Sequence, residues 1–150
     1  MNKPTTPTMT HILIDANKNI SLIQQEFNSA FPFLKLEFFK HKHGINGSSP
    51  KSDMITNDVP LNHLHTKQSK DTFEITEDMP VSEVEQLFQK CFGISAQVFR
   101  KSGRSWLETS VTDDWTLRRQ NDEGQIRKSH YNLIDRRFQP SSRAQEEKHK

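Results

Sequence analysis

Apolar residues recur at i, i+3, i+7, i+10 and i+11 in two separate stretches of the chain. One set is Ile20, Ile23, Phe27, Ala30 and Phe31; the other is Val81, Val84, Phe88, Cys91 and Phe92. Each is a single stripe of a helix with period 3.6. Both stretches also open alike. Ser21 stands three residues before Gln24, and Ser82 three before Glu85, the spacing at which a hydroxyl and a carboxyl or amide satisfy helix-start N–H groups reciprocally. Both close at the same point, on Pro32 and on Gly93. Proline cannot continue a helix, and glycine takes the left-handed conformation that ends one.

The pattern shortens to a period of two on either side. Leu34, Leu36 and Phe38 alternate with Lys35, Glu37 and Phe39, and Ile94, Ala96 and Val98 alternate with Ser95, Gln97 and Phe99. Strands with one buried face are predicted there. His11–Ile14 and Thr72–Ile75 read as strands before each helix, with Ile12 and Ile14 matching Phe73 and Ile75. Trp106–Ser110 reads as a third strand of the second unit, and Met54-Ile55 is its feebler equivalent. Thr56-Asn57-Asp58-Val59-Pro60-Leu61 then echoes Thr112-Asp113-Asp114-Trp115-Thr116-Leu117.

These elements predict an α+β chain, a two-layer sandwich whose mixed sheet carries its helices on one face, built from two βαββ repeats. A strand, a helix and a second strand in one sheet favour parallel strands and a right-handed crossover. Repeat one spans 10–66 and repeat two 71–122 of a domain covering 10–124. A unit of that size is marginal alone, so the halves are expected to share a sheet or a core. Phe27, Phe31, Phe88 and Phe92 are its expected anchors. Residues 1–9 are rich in Pro and Thr and are expected to lack order. Residues 125–150 hold a weak amphipathic helix, with Ile126, His130, Leu133, Ile134 and Phe138 on one side and Gly124 as its break, and then a polar tail.

Composition narrows the function classes. With 21 basic and 19 acidic residues the net charge is +2, too balanced to argue by itself for nucleic acid or an anionic membrane. Cys91 is the only cysteine, so no intrachain disulfide forms, and its place on the helix stripe makes it a small core residue. There is no long apolar run and no leader-like start. A cytoplasmic protein without a membrane segment is expected.

Candidate chemistry is sparse. His41 and His43, and His63 and His65, are i, i+2 pairs that would point to one side of a strand and can bind zinc, with Asp53 and Asp58 between them. Loop histidines in solvent explain them better, and no cofactor is expected. Asp113, Asp114 and Glu108 suggest paired carboxylates. Because Asn57 and Asp58 stand at the matching place, a turn or cap explains both copies. Neither a phosphate-binding glycine loop nor a nucleophile elbow is present, and the reading leans away from an enzyme.

The outer side of the sheet is more informative. Phe39 and Phe99 match each other there, Trp106 sits on the next strand, and Lys40, Arg100, Lys101, Arg104, Arg118 and Arg119 are near in sequence. Three readings stand side by side. The C-terminal segment covers the face through Tyr131, Leu133 and Phe138; or a protein partner or second subunit meets it; or its aromatics stack the bases of a single-stranded nucleic acid. The binding residues under either of the last two are Phe39, Phe99, Arg100, Lys101, Arg104 and Trp106.

The run FRKSGRSWLETSVTDDWTLRRQNDEG, with FPFLKLEFFKH upstream, resembles a family of small bacterial proteins that share this duplicated layout. The likeness covers Ile12 to Gly124 and stops before the tail that follows Arg127. It implies the fold and brings no activity, cofactor or catalytic residue. The function expected first is therefore a non-enzymatic intracellular protein that binds another protein or itself. A single-stranded nucleic-acid binder comes second, and a small metal-binding protein or enzyme third.

Overall fold

The computed structural model describes residues 10–40, 51–64 and 71–137, with side chains through residue 127. Among these residues five strands and three α-helices follow one another: β1 (His11–Ile14), α1 (Ile20–Ala30), β2 (Leu34–Phe39), β3 (Phe73–Thr76), α2 (Val81–Phe92), β4 (Ser95–Ser102), β5 (Ser105–Glu108) and α3 (Leu117–Arg137). Short 3-10 turns lie at Lys51–Asp53 and Leu61–His63.

The expected mixed sheet is replaced by two antiparallel ones. β1 pairs with β3, and β2, β4 and β5 form the other sheet in that order. The crossover rule holds for strands of one sheet, and here the strands flanking each helix go to different sheets. Each strand instead meets its counterpart from the other half. Ile12 lies opposite Ile75 and Ile14 opposite Phe73; Leu36 lies opposite Val98 and Phe38 opposite Ala96. In that register both apolar sets stay on the core side, which a one-residue slip would reverse.

Each helix start is held by the turn that ends its own half. Ile20 N–H donates to Val59 O at 3.0 Å, and Val81 N–H to Trp115 O at 3.0 Å. Leu61 N–H donates to Lys18 O at 3.1 Å, and Leu117 N–H to Met79 O at 3.0 Å. The expected capping boxes do not form. The cap positions are Asn19 and Pro80, neither with a side-chain cap bond. Ser21 N–H is taken by Asp58 Oδ1 at 3.1 Å and Ser82 N–H by Asp113 O at 2.8 Å. α2 ends as its sequence predicts, with Gly93 at φ 67°.

Among the described residues the third strand exists in the second half and not in the first. β5 pairs with β4 over four residues, whereas Met54 makes a single bridge to Phe39. α1, α2 and the start of α3 close one core. Phe27, Phe88 and Phe92 are fully buried and Phe31 is 3% exposed. The Phe88 ring stands edge-on to Phe38 at 5.1 Å and to Phe73 at 5.0 Å, geometry that aromatic quadrupoles favour. Cys91 is buried in the same cluster.

α3 runs unbroken through Gly124, contrary to the break expected there. The glycine serves close approach rather than a stop. A Cβ at this position would lie 2.8 Å from Phe33 Cβ and 3.2 Å from Arg100 Cγ. Among the described residues no helix is long and apolar enough to cross a membrane.

Candidate functional site

Strand parity sorts the residues of the three-stranded sheet. Leu34, Leu36, Phe38, Ala96 and Val98 face the core. Lys35, Glu37, Phe39, Phe99, Lys101, Trp106 and Glu108 therefore project from the other side. Pairing brings them together: Lys35 is opposite Phe99, Phe99 opposite Glu108, and Lys101 opposite Trp106.

These side chains bound a cleft of about 360 Å3 lined by Lys35, Phe39, Lys51, Met54, Phe99, Ser105, Trp106 and Glu108. The Phe39 and Phe99 rings are 6.5 Å apart. Lys35 Nζ lies 5.4 Å from the Phe99 ring centre and 5.0 Å from that of Trp106, and Lys101 Nζ lies 5.0 Å from Trp106. Two ammonium groups thus share one indole, a cation–π arrangement that holds positive charge beside an apolar floor. Glu37 Oε2 partly offsets Lys35 at 3.6 Å.

The site is narrower than the sequence suggested. Phe39 is only 2% exposed and Gln97 1%, whereas Phe99, Lys101 and Trp106 are half-buried. The opening lies toward β5. Arg104 is exposed in the β4–β5 turn next to Gly103. Arg100 belongs to the opposite side, for its place is even-numbered with Ala96 and Val98. Its guanidinium donates to Gln120 Oε1 at 2.7 Å and stands 5.6 Å from the Trp115 ring. Burial there holds Arg100 below the usual arginine range, against the pull of Glu123. Arg119 lies 3.7 Å over the same Trp115 ring, and Arg118 pairs with Glu77 and Asp78. None of these three lines the cleft.

Leu117, Gln120 and Gly124 of α3 pack on the core side, against Arg100 and Phe33. The side chains of Tyr131, Leu133 and Phe138 lie outside the described residues. So do His41, His43 and His65. His63 is exposed at the end of its 3-10 turn, and among the described residues no three His, Cys, Asp or Glu side chains gather as metal ligands.

No protein-family model, curated protein or solved structure matches this chain.

Sequence reading missed Lys35, Lys51, Met54 and Glu108 as lining residues. Parity was available for two of them, since Lys35 is four before Phe39 and Glu108 two after Trp106. Lys51 and Met54 enter through the Phe39–Met54 bridge, for which no periodic signal exists. Glu85, expected to close a capping box with Ser82, has a different partner. Glu85, on α2, accepts the Val98 N–H at 3.1 Å. Burial pushes its carboxyl up to about 7; the Val98 hydrogen bond opposes that rise, and the charge of Asp113 adds to it. Gln24 at the matching place of α1 donates to Leu36 O at 3.0 Å, so each helix uses this position to satisfy a backbone group of the strand that follows it.

Proposed function

We propose that this chain is a non-enzymatic, cytoplasmic binding protein that holds a protein partner in the cleft over Phe99 and Trp106. The carrying observation is the cleft itself: an aromatic floor with Lys35, Lys51 and Lys101 around it. An apolar surface of this kind, rimmed by charge, is what protein interfaces use. Asp58 serves the fold, because it accepts from Ser21 and Asn19 at the start of α1. Duplication of an ancestral βαββ unit belongs to the proposal too, with Met54-Ile55 as what is left of the third strand in the first copy. What supports it is the matched pair of helix-start hydrogen bonds and the two ladders that each join counterpart strands. Membership of the small bacterial family with that layout would follow from it.

Selection of a displayed random-peptide library against the full chain tests the reading. Enriched clones are expected to bind Trp106→Ala and Lys101→Ala at least tenfold more weakly. Clones that ignore both changes would refute it. A second reading, single-stranded nucleic acid, is favoured by the lysines on the indole, because bases stack on aromatic faces while phosphates meet ammonium groups. Titration of an oligothymidylate at rising salt separates the two. Binding that falls steeply with ionic strength supports the second, and no binding at low salt removes it.

A further inference from the structure

Thr109 N–H donates to Val98 O at 3.4 Å, just past the end of β5. That turns the Val98 carbonyl toward the β5 side, while Lys101 N–H donates to Phe33 O at 2.8 Å on the β2 side, and these directions alternate along an antiparallel strand. Arg100/Leu107 and Ser102/Ser105 are then hydrogen-bonding pairs, while Lys101/Trp106 and Phe99/Glu108 are not. The backbone N–H and C=O groups of Trp106 and Glu108 consequently turn away from β4. Among the described residues β5 is the last strand of its sheet and no backbone group meets them. The other edge of the sheet differs, because β2 carries the Met54 bridge there.

We infer that β5 is a docking edge onto which a partner adds an extended segment of alternating acidic and apolar residues as a fourth strand. This rests on the reading of the cleft as the binding site and names the partner's chemistry. Main-chain hydrogen bonds supply affinity in strand addition, and alternate side chains supply specificity. Residues of the added strand on the cleft side lie beside Trp106, where Lys35, Lys51 and Lys101 outnumber Glu37 and Glu108; acidic side chains fit there. Residues on the other side lie beside Leu107, which is 46% exposed, with Val111 at 90% just beyond; apolar side chains fit there. A second copy of this chain is a poorer occupant, because strand addition between two β5 edges would bring two lysine-lined clefts together.

The experiment uses the full chain and three synthetic octapeptides: alternating Glu and Val, alternating Lys and Val, and the Glu–Val peptide with a central proline. Amide hydrogen exchange is followed residue by residue, alongside tryptophan fluorescence. The Glu–Val peptide is expected to slow exchange at Trp106 and Glu108 at least tenfold at saturation and to leave Leu107, already paired to β4, unchanged. The other two peptides are expected to give no protection. Glu108→Pro removes one outward N–H without touching the β4 ladder and is expected to weaken binding at least tenfold. Unprotected amides with a fluorescence change that Lys101→Ala weakens at least tenfold would overturn strand addition and leave the cleft reading standing. Absence of any change with the Glu–Val peptide also overturns it, and the displayed-library result then decides the cleft reading separately.

Discussion

At the scale of single residues, Glu85 is a carboxyl desolvated by burial and Gly124 a helix position crowded by Phe33. Glu85 sits where Gln24 sits in the other half, but a carboxylate there loses hydration and faces Asp113. Its folded pKa, about 7, exceeds the ordinary 4.5, so the folded state binds the proton more tightly than the unfolded one. The contribution is fully present below pH 4.5, declines as pH rises, and is lost above about 7. The difference corresponds to about 3 kcal/mol. Urea unfolding should therefore give lower stability at pH 8 than at pH 5, with Glu85→Gln removing that component and stabilising the protein at pH 8. An unchanged pH profile in the variant would remove Glu85 as the cause. Gly124→Ala sets helix propensity, a gain of about 1 kcal/mol, against a Cβ placed 2.8 Å from Phe33. Overpacking of this kind costs about 1–3 kcal/mol, and the clash is with a side-chain stem and a backbone carbonyl that cannot swing aside. A lower melting temperature is expected; a higher one would mean that α3 shifts freely off Phe33.

At the scale of elements, what repeats locally was legible and what closes over distance was not. The 3.6 and 2.0 periods located α1, α2, β2 and β4, because burial of one face writes itself directly into adjacent residues. The termination of α2 was legible for the same reason, since Gly93 does its work alone. The helix starts were misread. Ser21 and Ser82 have capping-box spacing, yet the acceptors that reach their N–H groups are Asp58 and the Asp113 carbonyl, which come from a turn after the following strand. Partnering of strands was equally hidden, because a four-residue strand with alternating burial fits a parallel or an antiparallel neighbour. For the cleft, the aromatic positions were read from strand parity, whereas Arg100 was assigned by nearness in sequence and its parity ignored. Asp58 offers a test of the long-range cap. Its carboxylate is held below the usual range first by the Ser21 hydroxyl and then by the Ser21 N–H, so its stabilising effect is present above pH 3.8 and fades as pH falls through the depressed value. Asp58→Ala should raise exchange rates at the Ser21 amide while leaving those in α2 alone. Equal rates in both proteins would show that α1 needs no help from the turn.

At the scale of the whole molecule, the two halves cannot be separated without losing both sheets. β1–β3 and β2–β4 each join one half to the other, and β4–β5 is the one ladder within a half among the described residues. The core is likewise common property: Phe88 of the second half packs on Phe38 of the first as closely as on Phe73 of its own. The cleft inherits this dependence, since Lys35 and Phe39 come from β2 while Phe99 and Trp106 come from β4 and β5. Unfolding should accordingly be a single cooperative event, in which far-ultraviolet circular dichroism, tryptophan fluorescence and peptide binding share one midpoint. Phe88→Ala opens a cavity between the halves and should lower stability by about 3–5 kcal/mol, moving all three midpoints together. A fragment of residues 71–137 should show no dispersed amide spectrum by itself, because β3 and β4 would each lose their neighbour from the first half and α2 would lose Phe38. Should one probe unfold before the others, or the fragment fold alone as a monomer, the two halves would be independent domains in contact and the cleft a junction between them.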